Sequence, residues 1–174
     1  MQDRQDEAVT PRMKIIVYGE PGAQGSKKFL GRGKSGKGIM VETSTKVEPW
    51  RQDVKAAAEA VLDSLGRPPP FTGPLAIRMV FSFLRPVSVK RHKRPWPSVA
   101  PDLSKLCRST EDALKQAGVI HDDALIVEYT RLAKVYAGED PDALDRSGVL
   151  IIIGQLIDSL SIPGTPPGRR RKVA

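Results

Sequence analysis

The sequence predicts an α+β domain, in which a small mixed β-sheet of about four strands packs against two main helices. Four short apolar segments have the composition of strands, two longer segments carry apolar residues at helical spacing, and Gly and Pro separate them. The 174 residues fit one domain. We place it at 13–160, between a polar N-terminal arm, 1–12, and a basic tail, 161–174, both expected to be disordered.

In the N-terminal half of the chain, the sequence predicts one strand, one loop and one helix. Residues 13–18 (MKIIVY) have the composition of a buried strand, which Gly19 ends. Residues 24–38 are rich in Gly and Lys, so we expect a mobile loop whose cations, among them Lys27 and Lys28, can lie against phosphates. Residues 50–65 have apolar side chains at spacings of three, four and seven, which predicts the first helix.

A second strand and a basic loop follow. Residues 75–84 (LAIRMVFSFL) predict the strand. Residues 85–97 (RPVSVKRHKRPWP) form a proline-interrupted loop. We favour DNA-backbone contact over simple solvation for its cations, in particular Lys90, Arg91, Lys93 and Arg94. Trp96 either stacks on a base or anchors the loop, and anchoring is the expected role.

The second helix is predicted over 103–117 by two separate arcs of side chains. The apolar arc contains Leu103, Leu106, Cys107, Thr110, Leu114 and Ala117. The polar arc contains Ser104, Arg108, Glu111 and Lys115. Cys107, the only cysteine, is therefore expected in the core. Gly118 ends the helix, and strands over 125–137 and 148–153 complete the predicted sheet.

The charge balance indicates a polyanionic partner. Lys and Arg number 28 against 20 acidic residues, a net charge of +8, which favours nucleic acid over membrane; a basic surface kept for solubility is the alternative. No apolar run approaches the roughly 20 residues of a membrane span, and the start is too charged for a secretory signal. We therefore expect a soluble cytoplasmic protein without internal disulfides.

The candidate chemistry lies around the second helix. Asp102 precedes it, Lys105 and Arg108 lie within it, and Asp122 and Asp123 follow it. Phosphodiester hydrolysis uses a divalent cation to polarise the phosphate and acidify a water, and a cationic side chain to meet the developing charge. These residues can converge on such a metal. The same residues have structural explanations, as an N-cap and as turn formers, and their spacing leaves both interpretations open.

The motif resembles one known family. Asp-Leu-x-Lys-Leu-x-Arg at 102–108, followed by x-x-x-Asp-Ala-Leu and Ala-Gly-Val-x-x-Asp-Asp, is similar to the RusA family of Holliday junction resolvases. The likeness is strong over 101–136 and weaker over the rest of the globular part. It implies a RusA-like fold, a homodimer, four-way DNA junctions as substrate and Mg²⁺ (alternatively Mn²⁺) as cofactor. It also implies a role in recombination and repair in a bacterium or its phage.

The resemblance implies roles for individual residues. It makes Asp102 the first carboxylate of the site, Arg108 its basic residue and Asp123 the late catalytic carboxylate, with Asp122 beside it. Asp102, Asp122 and Asp123 are our candidate metal ligands, and Lys105 is a candidate DNA contact or an alternative to Arg108 as the electrostatic partner. The sequence departs from the family at two positions, because Ser104 stands where the second Asp of the motif belongs and Arg108 replaces a Lys. Glu111 shares the helix face of Ser104 and is the candidate that compensates for the missing carboxylate.

The expected function is a magnesium-dependent endonuclease that resolves four-way junctions by paired nicks. A non-catalytic DNA-binding protein with an eroded metal site is the alternative, because a serine hydroxyl is a weak magnesium ligand. A magnesium enzyme acting on small phosphate esters is a third candidate, and the basic loops and tail count against it.

Overall fold

The structure is a computed structural model that describes residues 9–25, 27–32, 38–42 and 45–156. Six strands and two α-helices follow one another along this part of the chain. In order they are β1 (Val9–Tyr18), β2 (Lys27–Arg32), β3 (Gly38–Glu42), α1 (Val47–Ser64), β4 (Leu75–Phe83), α2 (Leu103–Gln116), β5 (Ile126–Tyr136) and β6 (Gly148–Leu156). A short 3-10 helix, Asp123–Leu125, immediately precedes β5. The predicted α+β class is confirmed.

The central sheet has four strands in the order β1-β6-β4-β5. Both β1 and β4 run antiparallel to β6, whereas β5 runs parallel to β4. A parallel pair needs a crossover connection, and α2 lies within the one that joins β4 to β5. The N-terminus of α2 therefore lies near the carboxyl ends of these two strands, and its C-terminus lies near the start of β5.

The core lies between one face of the sheet and the two helices. Along β1 the side chains of Met13, Ile15 and Val17 are buried while those between them are exposed, as expected for a sheet with one covered face. The helices are joined by a buried hydrogen bond, in which Trp50 Nε1 donates to Thr110 Oγ1 over 3.1 Å. Cys107 is buried in this core, as predicted.

Two expectations for the N-terminal region are wrong. β1 begins at Val9, so residues 9–12, assigned to a disordered arm, belong to a strand instead, in which Val9 and Arg12 pair with β6. Much of 24–38 is not a loop, because β2 and β3 form an antiparallel hairpin outside the main sheet. The hairpin is defined by backbone pairing between β2 and β3. Because Gly and Lys are not typical strand residues, the composition of this segment did not predict it. The rest of the arm and the tail lie outside the described residues.

The remaining elements agree with prediction to within a few residues. α1 begins at Val47 rather than at Trp50, and α2 begins at Leu103 as predicted and ends one residue early. Gly118 has a φ of +78°, a left-handed conformation that Gly adopts easily and that ends α2. In the described part of the chain, neither helix combines the length and the apolar character needed to cross a bilayer.

Candidate functional site

Asp102 occupies the N-cap position of α2, but its carboxylate does not cap the helix. Its backbone is extended and its side chain makes no capping hydrogen bond. The carboxylate is instead 62 % exposed and forms a 3.2 Å salt bridge with Lys105 one turn along the helix. The structural explanation of Asp102 as a capping residue is therefore not supported, and its oxygens are accessible to a ligand.

Lys134 supports the segment that leads into Asp102. Its Nζ donates hydrogen bonds to the backbone oxygens of Val99, over 2.7 Å, and Pro101, over 2.8 Å. Burial lowers the pKa of Lys134, and the negative charge of Asp102 opposes that shift. Sequence reasoning missed this residue, because nothing local marks a lysine near the end of a strand as a partner of a loop 33 residues earlier.

Asp122 and Asp123 lie at the opposite end of α2. Asp122 accepts a hydrogen bond from the Ala124 backbone N–H over 3.0 Å, so it does form the turn before β5. Lys115 Nζ lies 3.3 Å from Asp122 and 3.5 Å from Asp123. The Ala124 N–H, with Asp123 and Lys115, lowers the pKa of Asp122 to about 2. The Asp123 carboxylate is exposed.

A shallow groove of about 350 Å³ connects much of the predicted site. It runs between α2 and β5, and Ser104, Arg108, Glu111 and Asp123 line it together with Cys107, Tyr129 and Leu132. The predicted polar arc of α2 is thus present. We call this surface the α2–β5 groove.

Glu111 is held in the α2–β5 groove by two hydrogen-bond donors. The Tyr129 hydroxyl donates to Glu111 Oε1, and Cys107 Sγ donates to the same oxygen over 3.2 Å. Burial raises the pKa of the Cys107 thiol to about 12, so it remains protonated and acts as a donor. A glutamate on a solvated helix face would usually pair with a nearby lysine or arginine. Glu111 instead accepts hydrogen bonds from a tyrosine and a cysteine.

The structure does not bring Asp102 together with Asp122 and Asp123 inside one protomer. The 14-residue helix between them has a length of about 20 Å at 1.5 Å per residue. Correspondingly, no group of three or more His, Cys, Asp and Glu side chains suited to a metal occurs within the described residues. The three aspartates therefore do not form one metal-binding cluster among the described residues.

The basic loop over 85–97 is tied to the fold by some of its own cations. The Arg85 guanidinium binds both carboxylate oxygens of Glu139 over 2.7 Å and lies 3.7 Å above the Tyr136 ring. Arg94 Nε donates to the Tyr136 hydroxyl over 3.0 Å, which makes Arg94 partly structural.

Other side chains of the basic loop face solvent. Lys90 and Lys93 are exposed, and Arg91 is 75 % exposed although it reaches Glu139 at 3.4 Å. The expected anchoring role of Trp96 is not seen, since its side chain is 58 % exposed. Lys27 and Lys28 lie in β2, where only the backbone is described.

Comparison with known families decides the assignment. The family model described as endodeoxyribonuclease RusA matches residues 19–143, well over half of the chain. The chain belongs to the RusA family. No curated protein is significantly similar to it in sequence.

The family match covers the whole candidate site. The RusA match spans Asp102, all of α2 and the Asp122–Asp123 pair, and it makes the chain an endodeoxyribonuclease of a family that acts on Holliday junctions. The sequence-based recognition of the family is therefore confirmed. The two substitutions in the motif, Ser104 and Arg108, both lie on the face of α2 that lines the α2–β5 groove.

Proposed function

We propose that this RusA protein resolves four-way DNA junctions by paired, divalent-metal-dependent nicks in recombination and repair, in the cytoplasm of a bacterial or phage-infected cell. The observation that carries the proposal is the exposed Asp102 carboxylate, held at the N-terminus of α2 beside a basic loop and not used for capping. Lys90, Arg91 and Lys93 on that loop supply cations that can bind the DNA backbone, with Lys27, Lys28, Arg94 and Lys105 as further candidates.

The side chains available at both ends of α2 fit Mg²⁺, which prefers carboxylate oxygens. Asp102 would bind it at one end, and Asp123 with Asp122 at the other. When bound, the metal would supply polarisation of the scissile phosphate and a more acidic water. Arg108, exposed in the α2–β5 groove, would stabilise negative charge on the phosphate, and Glu111 would supply the carboxylate that Ser104 lacks.

The length of α2 supports a site shared between two protomers. Within one chain α2, about 20 Å long, lies between Asp102 and Asp123, so a dimer with antiparallel α2 helices would bring one end of each helix beside the other end of its partner. Asp102 of one protomer would then face Asp123 of its partner, twice per dimer. Two such sites related by a two-fold axis match the symmetry of a four-way junction.

A mixing experiment tests the shared site. Asp102→Asn and Asp123→Asn should each abolish junction cleavage and leave junction binding intact or tighter, since each removes negative charge near the phosphates. If sites are shared, refolding the two inactive proteins together restores one intact site per mixed dimer, or about a quarter of wild-type nicking in a random mixture. If each protomer carries its own complete site, the mixture stays inactive.

Cleavage itself is tested with a synthetic four-way junction and a matched linear duplex. We expect symmetric nicks in the junction that require Mg²⁺ or Mn²⁺ and stop when a chelator is added. Tight junction binding without product at any metal concentration would overturn the proposal and would favour the non-catalytic DNA-binding protein that Ser104 suggests.

A further inference from the structure

A second cavity, of about 420 Å³, opens where β4 and β5 end. Phe83 and Tyr136, the last residues of these strands, line it, and Pro101 contributes to it from the loop. Because Pro101 immediately precedes Asp102, the cavity adjoins the N-terminus of α2. We call it the strand-end cavity; it is separate from the α2–β5 groove.

The walls of the strand-end cavity are unusually apolar for so basic a region. Leu84 is 66 % exposed and Val99 is 49 % exposed, and both line it. Exposed aliphatic side chains gathered around a concavity mark a binding site more often than scattered ones do. The cavity volume also lies within the range of about 300–1,000 Å³ that is usual for small-molecule sites.

The polar groups of the strand-end cavity are mostly cationic. Arg94 lies against the Tyr136 hydroxyl, Lys134 is held by two loop carbonyls, and Lys46 is paired with Glu20 at 2.8 Å. Apolar walls with a few donors among them suit an aromatic group that carries oxygen and nitrogen acceptors. The basic loop adjoins the strand-end cavity, and its exposed cations favour binding of an anionic polymer there.

We propose that the strand-end cavity receives an unstacked nucleobase of the bound DNA. The inference rests on the proposed function, because it places the scissile phosphate at Asp102, next to Pro101. The base joined to that part of the strand is then the group nearest the cavity. Unstacking costs less where the stack of base pairs is already interrupted, as at the centre of a four-way junction, so this subsite would favour branched over linear DNA.

The experiment places 2-aminopurine, which fluoresces when unstacked, at each position around the branch point in turn. Complexes are formed in chelator, so the measurement does not depend on cleavage. We expect a several-fold rise in fluorescence at one position in each symmetric arm pair.

Matched variants then connect the signal to the strand-end cavity. Leu84→Gln combined with Val99→Gln makes its wall polar, and Ala100→Phe fills it; all three residues are exposed, so folding should be retained. Both variants should lose the fluorescence rise and bind the junction about tenfold more weakly. Val87→Gln is the control, because Val87 is fully exposed in the same loop and does not line the cavity.

An abasic nucleotide at the responding position supplies an independent measure. It should weaken binding by the wild-type protein and have no further effect on the Leu84→Gln/Val99→Gln variant, since both changes remove one interaction. Junction binding and cleavage without a fluorescence rise at any position, or a rise that persists in the wall variants, would overturn the nucleobase inference alone. Failure to bind junction DNA would overturn the proposed function as well.

Discussion

At the residue scale, the distinctive feature of this RusA protein is the distribution of charge along α2. Serine replaces a carboxylate at 104, and the nearest carboxylate on the same face is Glu111, held by Tyr129 and Cys107. Helical side chains lean towards the N-terminus, so Glu111 points back along the α2–β5 groove towards Ser104. Its position is compatible with the role assigned to the missing aspartate.

Substitution at 111 and 104 tests that compensation. Glu111→Gln keeps the hydrogen-bond acceptor for Tyr129 but removes the charge, and we expect turnover at saturating DNA to fall by about 10- to 100-fold. Adding Ser104→Asp should restore part of the loss in the double variant. Single-turnover cleavage of the junction measures both effects, and full activity in Glu111→Gln alone would exclude a role for this carboxylate.

Lys134 is predicted to position the segment that carries Asp102. Lys134→Met leaves the Val99 and Pro101 carbonyls without their donor, and misplacement of Asp102 should lower turnover by about tenfold or more and raise the Mg²⁺ concentration needed for half-maximal rate. Lys134→Arg should recover part of the activity, and Lys55→Met, at a partly exposed position of α1 that lies near Glu59, is the control. Unchanged metal dependence in Lys134→Met would contradict a positioning role.

At the element scale, sequence patterns predict elements whose packing is local and miss those that depend on distant partners. The apolar arc of α2 predicts its first residue, Leu103, and its buried face. The β2–β3 hairpin was missed because strand pairing, and not apolar alternation, defines it. Lys134 could not be assigned a role, since only the parallel arrangement of β4 and β5 brings it to the loop before α2.

The contact between α1 and α2 has a predictable energy. Thr110→Val leaves the buried Trp50 N–H without its acceptor, which should lower the free energy of unfolding by about 1–3 kcal/mol. The neighbouring Ser109→Ala is a matched control, because the Ser109 hydroxyl is buried without a hydrogen-bond partner among the described residues. Denaturant unfolding should show Ser109→Ala as neutral or stabilising; an equal loss in both variants would mean that the hydrogen bond is unimportant.

The attachment of the basic loop should depend on pH. The Arg85 guanidinium lowers the pKa of Glu139 below its ordinary value of 4.5. Because the pKa of Glu139 is lowered in the folded protein, its ion pair with Arg85 stabilises the fold fully above about pH 4.5. This stabilisation is lost as the pH falls through the lowered pKa. Glu139→Gln should therefore reduce the thermal unfolding midpoint at pH 7 and have progressively less effect in acid. A difference that stays constant with pH would exclude the ion pair as its cause.

At the scale of the whole molecule, the proposed function combines carboxylates at both ends of one helix with a net charge of +8. The surplus of Lys and Arg supplies affinity for the DNA backbone but cannot select a branch. Selectivity for branched over linear DNA would come from the symmetry of a dimer, from active sites shared between protomers and from a cavity that accepts an unstacked base. These features together predict that two nicks are made within one bound complex.

A supercoiled plasmid with an extruded cruciform tests paired nicking directly. The first nick releases the supercoiling that maintains the cruciform, so the second can follow only while the protein stays bound to both strands. With Mg²⁺ we expect linear plasmid as the first product and no cleavage in chelator or of a plasmid without the inverted repeat. Nicked circles as the only product would contradict resolution by paired nicks.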